Sequence, residues 1–169
     1  MTRIAIRLET PEDNTPITKV TEEAFKNHPF SQGTEQFIIH ALRRSKALTL
    51  SLVAVVDGEV IGHIAFSPVL LSDGTKDWYG VGPLSVLPKL QKKGIGSQLM
   101  QEGLRIMKKL GAKGCMLVGD PAFYNRFGFR NEANLIHEGI PQEYFMILPF
   151  TKKSPKGTVQ FHPGFLAKE

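Results

Sequence analysis

Residues 90–100, LQKKGIGSQLM, combine two lysines and two glycines at the beginning of a predicted helix. Gly94 and Gly96 allow the backbone to turn tightly and leave bare N–H groups accessible to a ligand. A helix that starts here adds its own unpaired N–H groups and the positive end of its dipole. The chemistry that suits such a loop is the binding of an anion, most naturally a phosphate or pyrophosphate. Solvation explains the charges of Lys92 and Lys93 equally well.

The loop does not match the two glycine patterns that most often bind nucleotides. No Gly-Lys-Ser/Thr of a Walker A motif follows it, and it lacks the three glycines of the dinucleotide fingerprint. Its neighbours give it more weight, because a predicted strand, WYGVGPLSVLP, precedes it and a predicted helix over residues 97–110 follows. Pro83 lies inside that strand, and proline in a strand predicts an edge or a bulge, here near Gly82.

The first half of the chain predicts a strand, two helices and a β-hairpin. RIAIRLET alternates like a strand, and Asn14 or Thr15 is placed to cap the helix that follows it. A second helix is expected over residues 34–46. Two apolar, β-branched runs then meet at Asp57-Gly58, which is a strong hairpin signal. Their strands are therefore predicted to be antiparallel neighbours.

The second half predicts the parallel part of a sheet. The strand before the glycine loop, helix 97–110 and the apolar segment CMLV form a β-α-β unit, whose two strands are expected to be parallel. PAFYNRFGF follows as a short helix, and EYFMILPF and GTVQFHP are two strands around the polar turn TKKSPKG. The sequence therefore predicts an α/β (α+β) fold with a mixed, mostly antiparallel central sheet flanked by helices, in a single domain over residues 1–169.

Composition narrows the class of protein. Of the residues, 41% are hydrophobic and 22% are charged, as in ordinary soluble globular proteins. No apolar run is long enough to cross a bilayer, and acidic residues interrupt the amino-terminal segment where a signal peptide needs an apolar core. A cytoplasmic protein with no membrane partner is therefore expected. Cys115 is the one cysteine and is interpreted as an inert buried thiol, and the histidines have no metal-ligand spacing, so no metal is expected.

Positive charge is concentrated in one part of the chain. The formal net charge is +5, and residues 89–113 contain seven basic residues against one acid, Glu102. Such a cluster raises RNA binding as a hypothesis, with an affinity that falls steeply as salt rises. No basic platform with interleaved aromatic residues accompanies the charge, so RNA binding ranks last and no nucleic-acid partner is expected.

Two segments together make the chain resemble the GNAT family of acyl-CoA-dependent N-acetyltransferases over nearly its whole length. SVLPKLQKKGIGSQLM matches the family's Val-x-Pro followed by a Gln/Arg-x-x-Gly-x-Gly/Ala loop, and DPAFYNRFGF matches its Tyr-x-x-x-Gly-Phe segment. SLVAVVDGEVIGHIAFSPV also resembles a subgroup of small bacterial predicted acetyltransferases. The resemblance implies an enzyme that transfers an acetyl group from acetyl-CoA directly to a primary amine of a small molecule or peptide. The alternative, from another class, is a catalytically silent acyl-CoA-binding module that acts as a sensor or interaction protein.

The resemblance also implies where the coenzyme lies. Leu84 and Val86 on a bulged strand would pair with the pantetheine arm, and the backbone N–H of Leu84 or Ser85 would stabilise the oxyanion. Tyr124 corresponds to the family's usual acid, which protonates the departing thiolate. The backbone N–H groups that would hold the pyrophosphate are those of Gln91, Lys92, Lys93, Gly94, Ile95, Gly96 and Ser97.

The sequence departs from the family pattern at the general base. Many members place a glutamate on the bulged strand, but residues 78–88 contain no carboxylate. Glu35, His28, His63 and a relaying water molecule are all candidates, and none of them is selected.

The acceptor amine itself is not identified from the sequence. The loops over residues 28–33 and 151–157 are expected to shape its site. Lys152, Lys153 and Lys156 suggest an anionic feature on the acceptor, and surface solvation explains them equally well. The last two strands are interpreted as an exposed pair through which a dimer could form, so a monomer and a homodimer both stay open.

Overall fold

An eight-stranded sheet runs through the computed structural model, which describes residues 3–169. Met1 and Thr2, with which the expected single domain begins, lie outside the described residues. The strands are β1 (Ala5–Leu8), β2 (Leu50–Val56), β3 (Glu59–Leu71), β4 (Trp78–Val86), β5 (Gly114–Val118), β6 (Leu135–Ile136), β7 (Phe145–Pro149) and β8 (Gly157–Phe161). The helices are α1 (Asn14–Phe25), α2 (Glu35–Arg44), α3 (Ile95–Lys109) and α4 (Pro121–Tyr124).

The sheet is mixed and mostly antiparallel, as the sequence predicts. Its main path runs β1-β2-β3-β4-β5-β7, and its neighbours are antiparallel except β4 and β5. These two strands are parallel because α3 connects them by a crossover, which confirms the predicted β-α-β unit. Among residues 3–169, no helix combines the length and the apolar composition needed to span a membrane.

The hairpin between β2 and β3 is confirmed at Asp57 and Gly58. The two residues have φ angles of 50° and 79°, and two consecutive positive values are what a type I′ turn requires. The turn sets the register of the two strands, which brings Val53 opposite His63.

Helix α3 covers one face of the sheet with an apolar stripe. Gly94 adopts a left-handed conformation with φ 86°, and its carbonyl accepts the N–H of Gln98 at 3.0 Å, so the helix begins two residues earlier than residue 97. The stripe packs against residues of β2, β3 and β4 because it repeats at helical spacing. Its buried members are Ile95, Leu99, Met100, Gly103, Leu104 and Met107.

Helices α1 and α2 cover the opposite face. Ile17, Val20 and Ile39 of these helices pack with Val53 and Val60 of the hairpin in a separate core cluster. Since Val53 faces α1 and α2, its register partner on β3 projects to the same side of the sheet.

The entry to α1 differs from the predicted cap at Asn14 or Thr15. Both residues lie inside the helix, and a single 3-10 turn, Pro11–Asp13, precedes it. Asp13 Oδ2 accepts the N–H of Thr10 at 2.7 Å and Nη1 of Arg7 at 2.7 Å. The chain entry is therefore held by reciprocal bonds between Thr10 and Asp13, and Asp13 is the N-cap of α1.

The last two strands do not pair with each other. β7 lies beside β5, while β8 crosses to the end of β3 and also pairs in parallel with β6, an element that the sequence did not predict. Val159 of β8 and Phe145 of β7 are both buried in one cluster with Trp78, so the two strands share a core without sharing a ladder. The interpretation of these strands as an exposed final pair is therefore wrong.

Candidate active site

A gap opens between the parallel strands β4 and β5. Their ladder runs from Trp78–Gly114 to Gly80–Met116, after which β4 continues to Val86 while β5 continues in register with β7. The register of β4 against β3 shifts between the pairs Ile64–Leu84 and Phe66–Val81, so the extra residue of a bulge lies at the predicted position, next to Gly82 and Pro83. Among residues 3–169, the part of β4 beyond this bulge has no partner strand on the β5 side.

The register decides which backbone groups face the gap. Leu87 N–H donates to Ile61 O at 3.0 Å, and in an antiparallel ladder the bonded pairs alternate. Ser85 therefore exchanges its bonds with His63 and does not point into the gap. Leu84 and Val86 direct their N–H and C=O groups away from β3 and into the gap.

The amino terminus of α3 supplies free donors beside this strand. Within residues 3–169, the N–H groups of Ile95, Gly96 and Ser97 have no acceptor, because the first bond of the helix joins Gln98 to Gly94. The preceding turn is tightly wound, with Lys92 at φ 63° and its side chain exposed. Three free N–H groups, the helix dipole and nearby lysines form an environment suited to an anion.

Gln91 connects this loop to the strand. Its Nε2 donates to Val86 O at 3.0 Å, so its side chain fixes the loop against β4. Of the gap-facing backbone groups, this bond engages the carbonyl of Val86 and leaves its N–H group available. Lys93 is exposed, as Lys92 is, and has no ion pair among the described residues.

Helix α4 closes one side of the gap. A Cβ atom built on Gly96 would lie 3.6 Å from Cζ of Phe123 and 4.0 Å from side-chain atoms of Leu84 and Val86. Phe123 of α4, the start of α3 and the free part of β4 therefore converge around Gly96. The predicted anion loop and the predicted strand contacts belong to one place in the fold.

Tyr124 lies at the end of β5. Its ring covers Gly119 so closely that no side chain fits there, and it meets Phe123 edge-on with ring centroids 4.8 Å apart. Burial, with the nearby carboxylate of Asp120 adding to it, raises the pKa of Tyr124 to about 12. The phenol therefore keeps its proton at neutral pH and can donate it.

The structure separates the candidate bases. His28 is exposed in the loop after α1, where its Nδ1 accepts the N–H of Phe30 at 3.2 Å, and Glu35 accepts the hydroxyl of Ser31 at 2.6 Å. His63 is fully buried on β3 beside Ser85. The base stays a prediction without a selected residue at this point.

Cys115 and the carboxylates offer no competing chemistry. Burial raises the pKa of the Cys115 thiol to about 12, so it carries no thiolate at neutral pH. Among residues 3–169, no three histidine, cysteine, aspartate or glutamate side chains are grouped so that they could hold a metal ion.

Sequence reasoning missed two polar residues behind the strands. Ser51 of β2 donates a short hydrogen bond to Glu9, which follows β1, and the two residues are 42 positions apart. No local pattern signals this contact, because it depends on the pairing of β1 with β2.

Comparisons of the sequence with known proteins all indicate acetyltransferases of one family. The model of the acetyltransferase (GNAT) family matches residues 14–129. The chain is 39% identical over 130 residues to the uncharacterized N-acetyltransferase YhbS of Escherichia coli strain K12, which is 76% of this chain and 75% of that protein.

Two solved structures are similar over almost the whole chain. A GNAT family acetyltransferase from Brucella melitensis in complex with acetyl-CoA has 47% identity and a TM-score of 0.87, and the match covers 96% of this chain and 98% of that one. E. coli YhbS in complex with CoA has 34% identity and a TM-score of 0.89, with 98% and 93% covered.

Proposed function

The chain belongs to the acetyltransferase (GNAT) family, and from this premise we propose that it transfers the acetyl group of acetyl-CoA directly to a primary amine of a small molecule or peptide. The observation that carries the proposal is the unpaired edge of β4 beside the free N–H groups of α3. An extended arm that ends in a diphosphate fits both features at once, because the arm adds to the strand and the diphosphate meets the helix terminus. Acetyl-CoA has this construction.

The coenzyme contacts follow from the direction of the backbone groups. Leu84 and the N–H of Val86 pair with the pantetheine arm, while Gln91 keeps the carbonyl of Val86. The diphosphate meets the N–H groups of residues 95–97, and Lys92 and Lys93 add positive charge.

The transfer itself requires three proton movements, two from the nitrogen and one to the sulfur. An acceptor ammonium of lysine type, with a pKa of about 10.4, loses a proton before its nitrogen can attack the thioester carbonyl. The N–H of Leu84 faces the gap and stabilises the oxyanion that forms. The C–S bond then breaks as Tyr124 donates its phenolic proton to the departing thiolate. The attacking nitrogen loses its second proton to the phenolate, directly or through water, so the products are an amide and the free thiol of CoA, and Tyr124 is protonated again.

The first test is isothermal titration calorimetry with acetyl-CoA, with desulfo-CoA and adenosine as controls. Gly96→Asp introduces a carboxylate at the loop, and two like charges about 5 Å apart cost about 3 kcal/mol at an effective dielectric constant of about 20, a loss of roughly 100-fold in affinity. Gly96→Ala is the matched control, because its methyl group meets Phe123 at an ordinary contact distance and carries no charge. Binding that survives Gly96→Asp would contradict the assignment of the loop.

The second test separates an enzyme from a silent binding module. A panel of small primary amines and amine-bearing peptides is screened for acetyl-CoA-dependent thiol release. Cys115 does not react in this assay because its thiol is buried. Acetyl-CoA binding with turnover of an amine supports the transferase, whereas binding without turnover of any amine favours the acyl-CoA-binding module.

Several further properties belong to the same proposal. We infer that residues 1–169 act as one acetyltransferase domain in the cytoplasm, as a monomer or a homodimer. The loops over residues 28–33 and 151–157 shape the acceptor site. Size-exclusion chromatography with light scattering measures the oligomeric state.

A further inference from the structure

A line of buried polar side chains lies on the sheet face that α1 and α2 cover, and the chemistry above does not use it. His63 is 0% exposed and stands between its register partners Val53 and Ser85. Its neighbour Gly62 faces α3, where a Cβ would lie 3.1 Å from Leu99 Cδ1, so His63 projects to the opposite side. The line continues from His63 to Ser51 and then to Glu9 at the surface.

The hydrogen bonds along this line determine the tautomer of His63. A carboxylate only accepts hydrogen bonds, so the Ser51 hydroxyl is the donor in its hydrogen bond to Glu9. Ser51 Oγ then accepts from His63, whose Nε2 lies 2.7 Å away. Nε2 therefore carries the hydrogen of the neutral ring, and Nδ1 is left with a bare lone pair.

The outer end of the line is anchored at the surface. Arg43 of α2 donates to both carboxylate oxygens of Glu9, at 3.0 Å and 3.3 Å. Glu9, Ser51 and Arg43 line an open groove together with Lys46 and Thr49. This line of side chains thus connects the buried ring of His63 with groups that reach solvent.

The inner end of the line stops behind the coenzyme strand. Nδ1 of His63 and Oγ of Ser85 are both buried and have no hydrogen-bond partner among the described residues. They belong to directly opposite residues of adjacent strands, whose Cβ atoms are about 4.5–5.5 Å apart in such pairs. Ser85 itself stands between Leu84 and Val86, whose backbone groups face the gap. An acceptor lone pair and a hydroxyl donor therefore lie on the sheet face that α1 and α2 cover, at the strand whose free edge borders the gap.

We propose that Glu9, Ser51 and His63 form a proton relay in which His63 Nδ1 takes a proton from the acceptor ammonium through the hydroxyl of Ser85. The relay rests on the proposed transferase function. Nδ1 of His63 and Oγ of Ser85 are not hydrogen-bonded in this structure, so the step requires the Ser85 side chain to turn its hydroxyl towards Nδ1. An N–H bond of the ammonium then breaks as Ser85 Oγ receives that proton, and the hydroxyl proton of Ser85 moves to Nδ1. The amine keeps the electron pair with which it attacks the thioester. His63 becomes an imidazolium that is held by Ser51 and the carboxylate of Glu9, and it later returns the proton to solvent.

The surroundings of His63 keep the ring neutral before it takes up a proton and oppose the charge that it then carries. Burial, with the positive charge of Arg43 adding to it, lowers the pKa of His63 to about 3, so the ring is neutral at neutral pH. Glu9 and Asp13 are the negative groups near the ring, and Asp13 acts in the opposite direction to Arg43. Desolvation also lowers the pKa of an acceptor ammonium that leaves water to enter the site. The pKa values of the ammonium and of His63 are therefore closer than they would be with the ammonium in water.

Nuclear magnetic resonance of the full chain tests the tautomer without any substrate. Long-range ¹H–¹⁵N correlation distinguishes the two ring nitrogens, and the His63→Gln variant assigns the His63 signals among the five histidines. The proposal expects a neutral His63 ring with the hydrogen on Nε2 at pH 7. A ring with the hydrogen on Nδ1, or an imidazolium at pH 7, would overturn the relay.

Kinetics with the best amine from the screen test the relay in turnover. Glu9→Gln keeps the size of the side chain but removes the charge that stabilises the imidazolium, and kcat is expected to fall about tenfold at pH 7, which corresponds to one pKa unit of basicity. The loss shrinks as the pH approaches the pKa of the amine, because free amine needs no base. Lys46→Gln is the control, since it removes a charge from the same groove and has no side-chain hydrogen bond among the described residues.

The outcomes separate the relay from the proposed function. His63→Gln, where it folds, is expected to lower kcat about 100-fold with the KM for acetyl-CoA unchanged. A wild-type enzyme that turns over an amine, combined with a Glu9→Gln variant whose kcat is unchanged or reduced by the same factor at every pH, overturns the relay alone. A wild-type protein that acetylates no amine overturns the proposed function, and the relay falls with it.

Discussion

Replacing Tyr124 with phenylalanine tests the proposed acid with little disturbance of the fold. The change removes one oxygen and leaves the ring against Gly119 and edge-on to Phe123. The hydroxyl has no hydrogen-bond partner within residues 3–169, so the free energy of unfolding is expected to change by less than about 0.5 kcal/mol. The dissociation constant of acetyl-CoA is expected to stay within about twofold, since the proposed coenzyme contacts come from the backbone of β4 and α3.

The expected loss of rate can be worked out from another residue of the same protein. Without the proton of Tyr124, the CoA sulfur leaves as a thiolate in an apolar gap. Cys115 indicates what burial costs a thiolate here, because it raises the thiol pKa from 9.0 to about 12. That difference corresponds to about 4 kcal/mol, or a factor of about 1,000 in rate. The gap is more open than the surroundings of Cys115, so we expect kcat to fall by roughly 100- to 1,000-fold.

The assay is continuous thiol release at saturating acetyl-CoA, with the best amine from the screen. Tyr144→Phe is the matched control, because it removes the same oxygen from an exposed tyrosine. An unchanged kcat in Tyr124→Phe would refute the role of acid, and so would a rise in KM for acetyl-CoA with kcat preserved, which indicates a binding role.

The other predictions concern stability and pH. Gly96→Ala raises the free energy of unfolding by up to about 1 kcal/mol, because alanine has the higher helix propensity. Gly103→Ala lowers the free energy of unfolding by about 1–3 kcal/mol, because its Cβ would lie 2.5 Å from the ring of Phe66. Urea denaturation of both variants checks these opposite signs. Asp13→Asn lowers the free energy of unfolding by about 1–2 kcal/mol at pH 7, because the guanidinium of half-exposed Arg7 holds the pKa of the Asp13 carboxyl at about 2. That contribution is complete above about pH 5 and is lost progressively as the pH falls through about 4 and then through 2, so a difference between variant and wild type that does not shrink from pH 5 to pH 2 would contradict it. The kcat of the wild type shows no loss with an apparent pKa near 10, because burial raises the pKa of Tyr124 to about 12, and a falling limb near pH 10 would argue against this acid.

Local chemistry made part of the fold predictable. Asp57 and Gly58 supply the two positive φ values that a tight hairpin needs, so the turn follows from two adjacent residues. Pro83 lacks an N–H and therefore marks the disturbed ladder of β4 from its own identity. The β-α-β unit was predictable because a long apolar stripe between two strands implies a crossover.

Contacts between distant residues were not predictable in the same way. β8 returns to β3 rather than to its neighbour β7, because Val159 finds its buried surroundings beside Leu71 and Trp78, and no local pattern specifies that choice. The bond from Ser51 to Glu9 depends on the register of β1 against β2, in which Leu8 faces Leu52. Such pairings depend on the whole sheet.

The candidate site shows the same division. The glycines and lysines of the loop were enough to predict an anion site, because their conformational freedom and charge are local properties. That the backbone groups of Leu84 and Val86 face the gap, and those of Ser85 do not, could be seen only from the register against β3. The occupation of the Val86 carbonyl by Gln91 required the folded loop.

The short ladder between β4 and β5 also has a mechanical consequence. Three residue pairs, from Trp78–Gly114 to Gly80–Met116, join the two strands, and beyond Gly80 the strands separate. An extended ligand bound between β4 and β5 would hold the two strands together and make this part of the sheet more rigid. Amide hydrogen exchange should then slow at Val86 on the edge of β4 and at Val118 of β5, beyond the last pair of the ladder, when such a ligand binds. The mobility of β4 and β5 would therefore depend on whether the coenzyme is bound.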